Sequence, residues 1–294
     1  MTDAWTADEA AAPLRAPTPS DDKYSRGVIG IRTGSQEYPG AAALGVEAAW
    51  RTGVGMVRYL GPERPSGLVL ARRPETVVVD GRVQAWLIGS GTSAATRDAA
   101  ETARLRTILA GTQPVIVDAG ALDLVPGATA PLIVTPHDRE HARLREVLGL
   151  SRHDAEPDDE ARAAHAASTA AAGGAVVLLK GSTTIVVTPS GWARSVTAPT
   201  AWLATAGTGD VLAGILGALV AGAVARHEAM PEDAVSAASG PIDTEWLGPL
   251  AATAAWVHGH AAARAADAAG GPITALDVAE AVPPVVGALL RARV

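Results

Sequence analysis

The stretch TAGTGDVLAGILGALVAG, residues 205–222, joins a glycine-rich turn to a long apolar helix. Glycines at 207 and 209 let backbone N–H groups converge on an anion, and a helix starting near Thr208 adds the positive end of its dipole. Asp210 falls in the first turn, where a carboxylate can accept the proton of an attacking hydroxyl. The pattern predicts a phosphoryl-transfer turn with an anion hole at Gly207, Thr208 and Gly209 and Asp210 as the base. The alternative is a helix cap in which Asp210 only complements the dipole.

Upstream of this stretch, apolar segments alternate with helical ones. Predicted strands are RGVIGI, VGMVRYL, TVVVD, QAWLIGSG, PVIVDAG, LIV (132–134), AVVLLK and TTIVVTPSG, the last two as a hairpin-like pair. Predicted helices cover 40–52, about 94–110, a segment from Asp138, about 160–172, a segment from Thr208, and two or three more near the end. Strands that are apolar throughout indicate a mainly parallel sheet with helices on both faces. The predicted fold class is therefore α/β.

In such sheets, ligands bind at the carboxyl ends of the strands. Four strand-to-helix turns carry polar or glycine residues there: Gly34-Ser35, Gly89-Ser90-Gly91, Thr135-Pro136-His137 and Gly207 to Asp210. We expect the chemistry of the protein at this edge.

Several other residues are candidates for the same site. The turn Lys180-Gly181-Ser182-Thr183-Thr184 offers a cation, amides and hydroxyls to a nucleotide, or it is a plain hairpin turn. His137 binds a substrate, or it stands beside a helix capped by Asp138. Glu140 and Asp118 each hold a metal-bound water or complement a helix N-terminus.

Charged and aromatic residues outside these turns carry weaker signals. Lys23 and Arg26 meet phosphates or are simply solvated. His258 and His260, spaced i and i+2, do not share a helix face and make a poor metal pair, so a packed helix is favoured. No all-protein metal cage is apparent in the sequence.

Composition narrows the class of protein. The 294 residues are 48% hydrophobic but only 3% aromatic, with no Phe and no Cys, and the net charge is −7. Without a Lys/Arg cluster, nucleic acid and anionic membranes are poor partners. We expect a soluble, cytoplasmic protein with a disordered or loosely docked tail over 1–22 and one domain over 23–294. Residues 226–249 are expected to form a surface loop.

Taken in order, these motifs resemble those of the ADP/ATP-dependent NAD(P)H-hydrate dehydratases of the ribokinase-like superfamily. The resemblance runs from about Lys23 to Ala266, through RGVIGIRTGSQEYPGAAALGVEAAWRTGVGMV, WLIGSG, PVIVDAGAL, LIVTPHDRE, VVLLKGSTTIVV, LATAGTGDVLAGILGALVAG and WVHGHAA. Each motif alone is weak, but seven in the family's order are specific. The chain lacks room for the epimerase domain fused to some relatives, so it resembles the stand-alone type.

The resemblance implies a repair reaction on (6S)-hydrated NADH or NADPH, in which ADP, or ATP in some members, is consumed and Asp210 is the base. It assigns substrate contacts to Ala41, Gly91, His137 and Asp210. It assigns nucleotide contacts to Lys180, Gly181, Ser182, Thr183, Thr184 and Gly209. Mg²⁺ is expected, held through phosphates and water. A homo-oligomer, as a tetramer, and a separate NAD(P)HX epimerase are the implied partners.

The sequence departs from the family pattern in two turns. Gly89-Ser90-Gly91-Thr92-Ser93 replaces Gly-Pro-Gly-Leu-Gly, and Asp118-Ala119-Gly120 replaces Asp-Ala-Asp. Trp192 and Trp202 are the candidates for stacking on adenine. The competing hypotheses are a vitamin- or thiazole-alcohol kinase of the same superfamily, a nucleotide-binding protein without turnover, and a structural α/β oligomer.

Overall fold

The computed structural model describes residues 2–152, 158–230 and 242–292. Residues 151–160 are polar and indicate a loop, and both this loop and the expected loop at 226–249 fall partly outside the described residues. Within the described part, the second loop is shorter than expected, because helices occupy both of its ends.

The core of the fold is one eight-stranded sheet, in the spatial order β2-β1-β3-β4-β5-β6-β7-β8. Its strands are β1 (Val28–Arg32), β2 (Met56–Tyr59), β3 (Ala85–Ile88), β4 (Val115–Val117), β5 (Leu132–Val134), β6 (Ala175–Leu179), β7 (Thr183–Val187) and β8 (Ala193–Thr197). The first six are parallel to one another, and β7 pairs antiparallel with both β6 and β8. The prediction of a mainly parallel sheet ending in a hairpin-like pair is confirmed.

Helices connect and cover these strands. They are α1 (Ala7–Ala11), α2 (Gly40–Thr52), α3 (Glu63–Arg72), α4 (Ala99–Leu109), α5 (Asp138–Val147), α6 (Asp159–Gly173), α7 (Thr208–Glu228), α8 (Gly248–Ala269) and α9 (Ala275–Ala292). Short 3-10 helices cover Ala119–Leu124, Ala201–Leu203 and Glu245–Leu247.

The two faces of the sheet are buried in two separate apolar clusters. One packs α2, α7, α8 and α9 on side chains such as Ile29 and Leu87. The other packs α4, α5 and α6 on side chains such as Val115 and Leu132. Both faces of each central strand are thus covered, which explains why the strands are apolar throughout rather than alternating.

Helix α7 lies closest to the sheet and to α2. A Cβ added to Gly214 would overlap the backbone carbonyl of Gly45, so the two helices meet main chain to main chain. Within the described residues, α7 is the one helix long and apolar enough to cross a membrane, and 83% of its apolar window is buried inside this fold.

Two predicted elements are wrong. TVVVD is no strand: among the described residues its backbone pairs with β2 only at Val77, and the side chains of Val78 and Val79 are exposed. The helix expected from 94 begins at Ala99, because the side chain of Asp98 accepts the N–H of Glu101 and fixes the start there.

The segment before residue 23 is not a loose tail. Ala10, Ala11 and Leu14 are buried, and α1 packs against α8 and α9. Trp5 stacks edge-on against Trp192 at 5.7 Å, and Ala4 bridges Ser195 of β8. An alanine-rich stretch with few large apolar groups gave little sign of this packing in the sequence.

Candidate active site

Several predicted functional residues converge at the carboxyl edge of the sheet. Asp118 directly follows β4, His137 lies three residues after the end of β5, and Lys180 directly follows β6. Backbone pairing continues past the strands, since His137 bridges Lys180 and the N–H of Lys180 donates to the carbonyl of Pro136. The N-terminus of α7 lies over the same edge, because a Cβ on Gly209 would be 3.7 Å from Lys180 Nζ.

At the centre of the site is a buried ion pair. Lys180 Nζ lies 2.9 Å from Asp118 Oδ1, which also accepts the hydroxyl of Thr135, while Asp118 Oδ2 accepts the hydroxyl of Ser90. Burial alone would raise the pKa of Asp118, but the charge and hydrogen bond of Lys180 hold it below its usual range. Asp118 is therefore a fixed anion that orients Lys180.

Lys180 is surrounded by carboxylates. Burial alone would lower its pKa, but Asp118, Glu140 and Asp210 raise it above the usual range. Glu140 Oε2 is 3.7 Å from Lys180 Nζ. The ammonium group of Lys180 is therefore charged. Phosphate oxygens of a ligand could bind it in place of some of the carboxylates that surround it.

Asp210 differs from Asp118 in that no cation among the described residues binds it directly. Burial is the larger cause and the negative charge of Asp118 the smaller one that together raise the pKa of Asp210 to about 7. The positive charge of Lys180 opposes this shift. A carboxylate with a pKa near neutrality is suited to take up a proton and release it again. Asp210 therefore has the character of a general base.

The turn before α7 depends on Gly207. Its φ of +90° is in the left-handed region, and no side chain caps the helix that follows. The N–H of Thr208 donates to the carbonyl of Thr205 at 3.4 Å, so within the described residues it is the N–H groups on either side of Thr208 that are available to an anion. The anion hole at Gly207, Thr208 and Gly209 stays a prediction, which the uncapped start of α7 favours.

Ala41 and Gly91 are direct neighbours. Gly91 has a φ of +64°, and a Cβ on it would overlap the Cβ of Ala41. Ala41 lies in the first turn of α2 and Gly91 in the turn after β3. The two predicted substrate contacts thus form one surface at the edge of the sheet.

His137 is the N-cap of α5, a role that one of the two alternatives from the sequence assigned to Asp138. The backbone N–H of Glu140 donates to His137 Nδ1, and the N–H of His137 donates to Glu140 Oε2. The side chain of His137 remains 52% exposed. The cap fixes the ring, and its other nitrogen stays within reach of a ligand.

Arg162 of α6 was not predicted. It is buried, and it donates to the carbonyls of Lys180 and Thr183 at 3.1 and 2.8 Å while pairing with Asp159. Arg162 thereby fixes the turn from Lys180 to Thr184. No local pattern marks it, because its partners are carbonyls from a distant hairpin.

Four other candidates lie elsewhere or play structural roles. Arg26 donates to the carbonyl of Gly53 at 2.8 Å, and Lys23 lies beside it, at the opposite edge of the sheet. Trp192 lies at the same far edge, in the turn between β7 and β8, whereas Trp202 is 46% exposed just before the turn at Gly207. Of the two tryptophans, only Trp202 lies at the site.

His258 is packed, as expected for a core helix, but it lies near the site. Burial lowers its pKa to about 4, and it bonds the backbone of Thr208. Its Nε2 has no partner among the described residues. His260 instead stacks on Trp256 at 3.6 Å. The two histidines are on different faces.

The two departures from the family pattern fit each other. A Cβ on Gly120 would overlap the carbonyl of Thr92, so the backbone of the altered turn fills the space that a side chain at 120 would need. Ser90 donates to Asp118 Oδ2 at 2.8 Å. The turn is therefore tied to the catalytic edge by a hydrogen bond.

Among the described residues, no group of three His, Cys, Asp or Glu side chains could hold a metal ion. Both oxygens of Asp118 are already engaged by Lys180, Thr135 and Ser90. A cation at this edge would have to take most of its ligands from phosphates and water.

Comparison with known proteins agrees with this geometry. The family described as NAD(P)H-hydrate dehydratase matches residues 28–284. The bifunctional NAD(P)H-hydrate repair enzyme Nnr of Mycobacterium tuberculosis is 39% identical over 237 residues, covering 76% of this chain and 47% of the relative. The chain thus spans about half the length of that curated relative.

Solved structures show the same fold. The ADP/ATP-dependent NAD(P)H-hydrate dehydratase of Bacillus subtilis, co-crystallised with ATP/Mg²⁺, superposes with a TM-score of 0.78 at 24% identity over 98% of this chain and 99% of that one. A ribokinase-like superfamily protein of Enterococcus faecalis gives 0.75 at 22% identity, over 98% and 96%. The fold is ribokinase-like, and by the extent of its match the chain belongs to the NAD(P)H-hydrate dehydratase family.

Proposed function

We propose that the protein uses ADP to remove water from (6S)-hydrated NADH or NADPH and releases AMP and phosphate. The observation that carries the proposal is the environment of Asp210, a half-buried carboxylate with a pKa of about 7 at the uncapped N-terminus of α7. Lys180 lies beside it, and Ala41 and Gly91 form a surface at the same edge. A proton acceptor, an anion hole and a phosphate-binding cation therefore occur together.

In the proposed reaction, ionised Asp210 takes the proton of the hydroxyl on ring carbon 6. The oxygen then bonds to the β-phosphorus of ADP, and the bond from that phosphorus to the bridging oxygen breaks to release AMP. N–H groups of Gly207 to Gly209 stabilise charge on the transferred group, and Lys180 binds phosphate oxygens. The ring nitrogen expels the resulting phosphate from carbon 6, and loss of a proton from carbon 5 restores the dihydropyridine.

The nucleotide is assigned to Lys180, Gly181, Ser182, Thr183, Thr184 and Gly209, and the substrate to Ala41, Gly91, His137 and Asp210. Mg²⁺, held through phosphates and water, would offset nucleotide charge. The proposal includes a homotetramer and a separate enzyme that epimerises the hydrate. Light scattering tests the first, and an assay on the R epimer with and without added epimerase tests the second.

Turnover of the hydrate tests the proposal directly. Purified protein with ADP, Mg²⁺ and hydrated NADH should restore absorbance at the reduced-nicotinamide band. Asp210→Asn should lower kcat by about 10²- to 10⁴-fold, because the proton acceptor is lost, and should still bind ADP. Asp8→Asn is the matched control, since Asp8 also lies in the first turn of a helix but is exposed on α1.

The pH dependence gives a second measurement. Asp210 must be ionised to act, so kcat/KM should rise with pH through an apparent pKa near 7 and level off above it. The outcome against the function is nucleotide binding without turnover of the hydrate, after which vitamin and thiazole alcohols are the next substrates to assay. Full activity of Asp210→Asn would remove Asp210 as the base.

A further inference from the structure

A cavity of about 330 Å³ lies beside the catalytic cluster, and we call it the α5 cavity. It is enclosed by the loop 92–95, the 3-10 helix Ala119–Leu124 and one side of α5. Leu122, Leu144 and Val147 make its walls apolar, and Glu140 and Arg143 bring charge to it. Its volume is at the lower end of the range of small-molecule sites.

The cavity adjoins the substrate side of the site. Thr92 follows Gly91, Gly120 comes two residues after Asp118, and Glu140, which lines the cavity, is 3.7 Å from Lys180 Nζ. The turn from Lys180 to Thr184 takes no part in the lining. A ligand could therefore extend from Gly91 into the cavity without meeting a nucleotide at that turn.

This cavity exists because α4 starts late. Asp98 caps α4, so residues 92–95 form a loop instead of a first helical turn. Arg97 holds that loop by pairing with Asp123 and donating to the carbonyl of Gly120. The wall of the cavity is thus tied to the turn that follows β4.

Arg143 is a charged residue of this cavity that no other described side chain engages. Its side chain is exposed, and it makes no ion pair or side-chain hydrogen bond within the described chain. Arg97, by contrast, is committed to Asp123. A free guanidinium above apolar walls suits a phosphate attached to a flat, apolar group.

Resting on the proposed function, we propose that the α5 cavity binds the adenylate half of the hydrated dinucleotide and that Arg143 pairs with a phosphate of that half. The reacting ring occupies only the surface at Ala41, Gly91 and Asp210, so the rest of the substrate needs a second place. The phosphate is either in the pyrophosphate bridge or on the 2′ position of NADPHX. Arg143 is then a specificity residue and not a catalytic one.

Truncation of the substrate tests this assignment. Arg143→Ala should raise KM for the hydrated dinucleotide by about tenfold, with kcat and the KM for ADP unchanged, because one charge-assisted hydrogen bond is lost. The hydrate of reduced nicotinamide mononucleotide lacks the adenylate half, so its KM should not change. Arg139→Ala is the matched control, since Arg139 is exposed on the same helix but does not line the cavity.

Comparison of NADHX with NADPHX locates the phosphate. A rise in KM for both hydrates places Arg143 at the pyrophosphate, and a rise for NADPHX alone places it at the 2′-phosphate. The assignment is overturned if KM for the mononucleotide hydrate rises equally, if Arg139→Ala has the same effect, or if no KM changes. A wild-type protein that does not turn over any hydrate refutes the proposed function instead; the subsite is then tested by titration with NADPH, which Arg143→Ala should bind about tenfold more weakly than wild type and Arg139→Ala equally well.

Discussion

At the scale of single residues, the charged side chains of the site have different roles because their surroundings shift their pKa values in different directions. Asp118 and Asp210 share one edge of the sheet, yet Lys180 holds the pKa of Asp118 low, while burial and Asp118 itself raise that of Asp210 to about 7. Sequence placed both carboxylates at strand or helix ends. It could not show which one Lys180 pairs with, nor find Arg162, because those partners come from elements far apart in the chain.

The Asp118–Lys180 pair predicts a stability effect that depends on both partners. Lys180→Met should lower the free energy of unfolding by about 3–5 kcal/mol, since it leaves Asp118 charged, buried and without a counter-ion. Adding Asp118→Asn should recover most of that loss, because the amide carries no charge, its oxygen accepts one of the two hydroxyls and its NH₂ group donates to the other. Urea unfolding of the two variants measures this. Equal stability of the single and double variants would mean that the pair is not coupled.

At the scale of elements, helix and strand positions followed from apolar periodicity and from caps. The bounds predicted for α2 agree with the structure, because a proline precedes it and Gly53 ends it in the left-handed region. The apolar pattern predicted a strand wrongly at TVVVD. Its β-branched residues lie beside the edge strand β2, but no further strand pairs with them in the described part of the chain. The pattern also failed at α1 and α3, whose apolar stripes are short or interrupted by polar residues.

The turn before α7 predicts a contrast between two glycines. Gly207→Ala should cost about 2–4 kcal/mol, from a φ of +90° and overlap with the side chain of Leu44, and should lower kcat by shifting the start of α7. Gly174→Ala is the control: it also has a positive φ, but nothing lies within 4 Å, so it should cost about 1 kcal/mol and leave kcat unchanged. Thermal unfolding and initial rates measure both. Unchanged kcat in Gly207→Ala would contradict the role of this turn.

At the scale of the whole molecule, one sheet joins two apolar clusters, and the N-terminal segment completes one of them. Trp5, Leu14 and α1 pack on the side of α8 and α9, and Arg226 at the end of α7 donates to the carbonyl of Pro13. These contacts lie away from Asp210. The sequence indicated the class of fold but not this packing, because contacts between chain ends leave no periodic pattern.

The N-terminal packing predicts a change in stability without a change in rate. Leu14→Ala should lower the free energy of unfolding by about 2–3 kcal/mol, because it opens space in a buried cluster, and kcat and KM should stay as in wild type. Leu68→Ala is the matched control, since Leu68 is exposed on α3. Denaturant melts and steady-state kinetics give both quantities. A loss of activity in Leu14→Ala at a temperature where it is folded would show that the segment reaches the site.

The contact between Gly45 and Gly214 bears on how such a site tolerates mutation over time. Ala41 and Asp210 lie at the starts of α2 and α7, which contact each other main chain to main chain at Gly45 and Gly214. The distance between the two helices at this contact is therefore set by backbone atoms and not by the size of a side chain. Aliphatic residues elsewhere in this Phe-free core can be exchanged for one another without moving the substrate surface relative to the base. Any side chain at Gly214 would push the helices apart. Exchange among the aliphatic core residues is therefore nearly neutral for catalysis, whereas Gly214 does not tolerate a side chain.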